Sequence, residues 1–158
     1  LILTCRDPRW DPREFWNLPT STGPAIVRNA GGSAADAVFA IRALATISAS
    51  RDSALGAVAV IHHLGCAAAN YNDNSSKQKF RDLAQGDKGP VEGMLAGFNL
   101  EQIVRNDVAL IKSDPLLPKD LEVVGFVYDV LTGKTKDVRS SSWTDAGATC
   151  DLESTRPT

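Results

Sequence analysis

Two hydrophobic rhythms alternate along this chain. Residues 1–5, 24–28 and 56–62 are short, nearly continuous apolar runs of the kind carried by strands buried on both faces. Between them lie helical signatures. Asp11-Pro-Arg-Glu14 offers a capping Asp, a Pro at the first helical position and a Glu three residues on, opening a short helix that ends near Leu18-Pro19. Ser33-Ala-Ala-Asp36 caps a longer one, in which Val38, Ile41, Leu44, Ala45 and Ser48 share a face at helical spacing. Farther on, residues 77–84 read as a charged helix. Asn99 with Gln102 caps another, whose Ile103, Val104, Val108 and Ile111 form an apolar stripe. Residues 121–131 then read as a fourth strand, Thr132-Gly133 as a tight turn, and residues 134–138 as an antiparallel edge strand.

Strands alternating with helices imply βαβ units. The expected fold class is therefore α/β, a mostly parallel central sheet of four strands plus an antiparallel edge strand, with helices packed on its faces. Residues 1–138 form the expected domain. Residues 139–158 are Ser, Thr and Asp with little to bury, and read as a polar, disordered tail with Cys150 a bystander. The chain opens on Leu1 already in a strand pattern, so an N-terminal segment is expected to be missing.

Composition narrows the function classes. A chain of 158 residues with 43% hydrophobic content suits one domain with a sizeable core. A formal charge of −2 and a pI near 5.6, with no basic cluster, argue against nucleic acid as a partner. No apolar run approaches the ~20 residues of a membrane span. Three scattered cysteines do not make a disulfide framework, and a reducing, cytoplasmic setting is expected.

The chemistry gathers where strands end. In parallel sheets, ligands collect at the carboxyl ends of the strands. The run Val58-Ala-Val-Ile-His-His-Leu-Gly-Cys66 leaves the sheet through His63 and Cys66, three apart across a bend that Gly65 allows. Imidazole and thiolate are ligands that zinc prefers, but an isolated H-x-x-C spacing is weak and needs a third partner. Cys5, at the carboxyl end of the first strand, supplies it. His62, on the opposite face of an extended strand, is read as packed or hydrogen-bonded. Trp10, Phe15 and Trp16 are read as core or dimer surface.

These residues carry a resemblance. Cys5-Arg-Asp7-Pro-Arg9 fits the C-x-D-x-R motif of β-class carbonic anhydrases, His63-Leu-Gly-Cys66 fits their H-x-x-C, and Val27-Arg-Asn-Ala-Gly-Gly32 is similar to their R-N-A-G stretch. Pro115-Leu-Leu-Pro118 also sits where the family has a similar segment, so the resemblance runs from Leu1 to about Val138. It implies one zinc per chain held by Cys5, His63 and Cys66, with water as the fourth ligand. The implied activity is reversible hydration of carbon dioxide to bicarbonate by zinc-bound hydroxide. Asp7 would orient that hydroxide and Arg9 would hold Asp7 ionised. Gly31 and Gly32 would line the substrate pocket with backbone, and the assembly would be a homodimer or larger.

The sequence also departs from the family. His-Leu-Gly-Cys-Ala replaces the usual His-Thr-Asp-Cys-Gly, so Leu64 and Gly65 lose a hydroxyl and a carboxylate, Ala67 loses a glycine, and Pro8 removes a backbone donor. A drier mouth suits a sulfur analogue. Hydrolysis of carbonyl sulfide or carbon disulfide at the same zinc, known for relatives of this fold, is the alternative activity. A zinc-binding but weakly catalytic dimerisation domain is the third.

Overall fold

The computed structural model describes residues 1–19, 21, 23–51, 53–66, 78, 79, 82 and 99–145. Four strands run parallel: β1 (Ile2–Cys5), β2 (Ile26–Asn29), β3 (Ala57–His63) and β4 (Glu122–Tyr128). Two antiparallel strands, β5 (Lys134–Asp137) and β6 (Thr144–Asp145), extend the sheet to the order β2-β1-β3-β4-β5-β6. The α/β class and the parallel core are as expected. The strand expected at the edge is not the edge, because Thr144 and Asp145 pair with Thr135 and Lys134. Ordered structure therefore runs past Val138 into the stretch read as tail, and Cys150 lies outside the described residues.

β4 is shorter than its apolar run. Asp129 stops it by folding the next residues into a turn: its carboxylate accepts from the Leu131 N–H and the Thr132 hydroxyl, and its carbonyl accepts from the Gly133 N–H. The charged helix expected over residues 77–84 falls almost wholly outside the described residues, of which Gln78, Lys79 and Asp82 are helical.

Alternation along the strands gives each face of the sheet its own contents. On one face Leu3, Val58, Val60, Val123 and Val127 pack against α2 (Ala34–Ala49) and α3 (Leu100–Lys112). The side of α2 that is buried carries Ala34, Ala37, Ile41 and Ala45 rather than the larger Val38 and Leu44. Small side chains let the helix approach its neighbours closely. α3 starts as expected, with the Asn99 side chain accepting from the Gln102 N–H, and buries Val104 and Ile111. Gly125 makes room for it, since a Cβ there would stand 2.5 Å from Val104 Cγ1.

On the other face Ile2, Ile61 and Tyr128 meet Trp10, with Phe15 and Trp16 packed beside them. Trp10 and Phe15 follow β1 in its loop and in α1 (Pro12–Phe15), a single turn that Asp11 caps by accepting from the Arg13 N–H at 2.7 Å. This aromatic layer covers the face from which the last residue of β3 emerges.

Candidate metal centre

Thr4 of β1 lies opposite Ile61 of β3 in parallel register, so the ends of the two strands leave the sheet side by side. The Thr4 hydroxyl fastens them by donating to the Ile61 carbonyl at 2.9 Å. Cys5 ends β1 and His63 ends β3. Beyond His63 the Leu64 N–H donates to the Tyr128 carbonyl, and Gly65, at φ +66°, turns the chain back to deliver Cys66. That left-handed conformation favours glycine.

Cys5, His63 and Cys66 are 6%, 1% and 5% exposed, and their ligand atoms all lie within 4.8 Å of one another. The two sulfurs are 3.5 Å apart, hydrogen-bonded and not joined by a disulfide. Two thiolates on one tetrahedral zinc, each ~2.3 Å from it, stand ~3.8 Å apart. The imidazole is oriented too: its Nδ1–H donates to the Leu64 carbonyl at 3.0 Å, which leaves Nε2 as the lone-pair nitrogen. That Nε2 is buried without a hydrogen-bond partner. An orphaned imidazole nitrogen facing two thiols is a donor set that fits zinc.

Electrostatics favour the thiolate form of Cys5. The Cys5 thiol is brought well below its ordinary value, first by its hydrogen bond with Cys66, against the opposing effect of burial, and further by the backbone N–H groups of Gly31 and Asp7. Asp7, its side chain 8% exposed, is held well below the usual carboxylate range by the Arg9 guanidinium. That pair is bidentate, Arg9 Nε to Oδ1 at 2.9 Å and Nη2 to Oδ2 at 2.6 Å, with the Arg9 N–H adding a third bond to Oδ1. Arg9 Nη2 also donates to the Gly65 carbonyl at 2.6 Å, joining the loop after β1 to the loop after β3. Asp7 Oδ2 lies 3.6 Å from His63 Nε2, so the carboxylate stands beside the donor set.

Gly31 and Gly32, expected along a substrate pocket, both sit at φ +77° in the turn between β2 and α2. The Gly31 N–H contributes, as one of the smaller causes, to lowering the Cys5 thiol. Gly32 lies against the backbone of β1, where a Cβ would come within 3.0 Å of the Cys5 nitrogen. His62 points away from the centre, to Asp107 of α3, with Nε2 2.8 Å from Oδ2. Leu64 is 39% exposed, and Ala67 lies outside the described residues.

Reasoning from sequence missed Arg28. From β2 it donates to the carbonyls of Cys5, Asp7 and Trp10 at 3.2, 2.8 and 2.9 Å. It is the Arg of the R-N-A-G stretch, but that pattern does not reveal its partners, because only the parallel register of β2 beside β1 brings it over that loop. Trp10 was likewise legible only as core or dimer surface. It stands with its ring centroid 6.2 Å from that of His63, walling the centre on the aromatic side.

No family model matches the chain. A β-carbonic anhydrase 1 of Mycobacterium bovis is 29% identical over 138 residues, covering 87% of this chain and 80% of that protein. Among solved structures, a carbonic anhydrase from Streptococcus mutans is 31% identical with a TM-score of 0.64, covering 87% of this chain and 79% of that one. A carbon disulfide hydrolase shares the fold at 18% identity, with a TM-score of 0.59 over 99% of this chain and 82% of that one. The likeness in sequence and structure over 87% of this chain agrees with the two-cysteine, one-histidine group at the ends of β1 and β3: the chain belongs to the β-carbonic anhydrase family.

Proposed function

We propose that this protein catalyses the reversible hydration of carbon dioxide to bicarbonate at a zinc ion held by Cys5, His63 and Cys66. The observation that carries the reading is the buried donor triangle with the Asp7–Arg9 pair beside it. When bound, the ion supplies the Lewis acidity that makes water nucleophilic at neutral pH. The protein's own residues supply the rest. Asp7 Oδ2 accepts a hydrogen bond from the attacking water and aims its lone pair at the substrate carbon. Arg9 occupies both carboxylate oxygens, so Asp7 stays ionised and does not swing in as a fourth ligand. Trp10 and Tyr128 keep bulk water from the aromatic side.

Hydrolysis of carbonyl sulfide or carbon disulfide at the same centre is the second reading, favoured by one observation. The residues between His63 and Cys66 present an apolar Leu64 and a Gly65 with no side chain, in place of a hydroxyl and a carboxylate. The centre suits a reducing compartment such as the cytoplasm, and the assembly we propose is a homodimer or larger.

Stopped-flow turnover of carbon dioxide and carbonyl sulfide, side by side on the zinc-loaded protein, tests the assignment. Faster turnover of carbon dioxide is expected. Faster turnover of carbonyl sulfide would move the function to the second reading. Turnover of neither would leave a zinc-binding dimerisation domain.

A further inference from the structure

We infer that Arg28 is a positioning residue for this centre: through three backbone carbonyls it holds the loop that carries Cys5, Asp7 and Arg9. The inference rests on the proposed zinc chemistry but concerns a side chain that touches neither ligand atoms nor substrate. Arg28 is in β2, where Thr4 lies opposite it and Cys5 opposite Asn29. Its guanidinium leaves the strand and reaches under the loop that follows β1. Nε donates to the Cys5 carbonyl, while Nη2 donates to those of both Asp7 and Trp10. Nη1 faces Asp11 Oδ2 at 3.5 Å, and Asp11 is the cap of α1.

One planar cation thus addresses a thiolate ligand, the oriented carboxylate's own peptide, the aromatic wall and the cap of the next helix. Two other bonds tie this loop to its surroundings, the Arg6 N–H donating to the Asn29 carbonyl at 2.8 Å and Arg9 Nη2 to that of Gly65 at 2.6 Å, and neither reaches the Cys5, Asp7 or Trp10 carbonyls. Pro8 lacks an N–H, and the Arg9 side chain is committed to Asp7 and Gly65. Carbonyl oxygens turned toward one point repel one another unless a cation or several donors sit between them. A guanidinium offers five N–H groups in a rigid fork and matches such an arrangement, whereas an ammonium is a single point with three donors. With its side chain only 25% exposed, Arg28 keeps these bonds largely out of competition with water.

Displacement of Asp7 by a fraction of an ångström changes where its Oδ2 meets the attacking water, and small misplacements of a catalytic group are costly. Arg28→Lys keeps the charge and loses the fork. It is expected to retain cooperative unfolding and about one metal per chain, while turnover of carbon dioxide falls at least about tenfold with KM changed less than about threefold. Because Arg28 acts through Asp7, the same substitution made in Asp7→Asn should lower turnover by less than about threefold. A second readout needs no turnover: in the cobalt-loaded protein, the visible thiolate and d–d bands of Arg28→Lys should shift from the parent's. Arg28→Gln, which keeps amide donors without charge, serves as the second variant. Equal losses in the parent and Asp7→Asn backgrounds, or superimposable cobalt spectra, would overturn the inference. Loss of cooperative folding in both variants would overturn it as well, assigning Arg28 to folding alone. If the parent turns over no carbon dioxide, the proposed function fails on its own, and the cobalt comparison decides Arg28.

Discussion

At the scale of single residues the centre separates metal binding from chemistry. Asp7 contributes no ligand atom to the triangle of Cys5, His63 and Cys66, yet its Oδ2 lies 3.6 Å from His63 Nε2. Asp7→Asn preserves shape and removes the charge that Arg9 holds in place. It should leave zinc content unchanged and lower turnover at least about tenfold, about 1.4 kcal/mol of transition-state stabilisation. Unchanged turnover in a zinc-replete variant would reduce the Asp7–Arg9 pair to a loop salt bridge. His62 shows how neighbouring residues of one type take different roles. One residue before the candidate ligand it faces the opposite side of β3 and binds Asp107, because successive strand residues alternate faces.

At the scale of elements, close packing carries the sheet and its helices. Gly125 lies in the middle of β4 under α3, where a methyl group would meet Val104 at 2.5 Å, Val108 at 3.0 Å and Val138 at 3.2 Å. Gly125→Ala should therefore destabilise the fold by ~1–3 kcal/mol in urea unfolding, through overpacking. A neutral or stabilising result would mean that α3 can shift freely on the sheet. The two helices are also tied together by charge. Asp114, just past α3, pairs with Arg42 of α2 at 2.9 Å and has a side chain only 3% exposed. Burial by itself pushes its carboxyl up, but the Arg42 guanidinium and the Leu116 N–H outweigh it and hold the group below its ordinary value. A depressed folded-state value adds stability above the unfolded pKa of about 3.9, and that stability disappears as pH falls through the folded value. Arg42 is more than a third exposed, so Asp114→Asn is expected to cost only about 1 kcal/mol at pH 7. The difference from the parent should shrink in acid, as pH falls below the unfolded value and through the lower folded one. A difference that persists there would assign the effect to packing.

At the scale of the whole molecule the candidate ligands come from two distant segments, so metal binding and folding are linked. Cys5 and Cys66 are 61 positions apart, and an ion bridging them closes β1 against the loop after β3. Zinc at about a hundred times its Kd stabilises by about 2.7 kcal/mol, so chelation should lower Tm by several degrees. Elemental analysis of the parent should find about one zinc per chain. Cys66→Ser should lose most of it and melt like the chelated parent. Full zinc content in that variant would remove Cys66 from the ligand set.

The local sequence by itself determined the strand-and-helix order, the parallel core and the three candidate ligands. A strand buried on both faces is written as a continuous apolar run, and a chemistry-bearing residue just past that run must emerge at the sheet's carboxyl edge. Cys5 and His63 both do so, and Gly65 signals the turn that adds Cys66. Tertiary structure decided the rest. Parallel register set Arg28 over the loop after β1, the folding of α1 brought Trp10 against Tyr128 and beside His63, and pairing with β5 drew Thr144 and Asp145 into the sheet. In each case the partner lies far along the chain or is a backbone group. Neither a side chain's type nor the rhythm of its neighbours records such a contact, because register and crossover geometry arise only when the strands assemble.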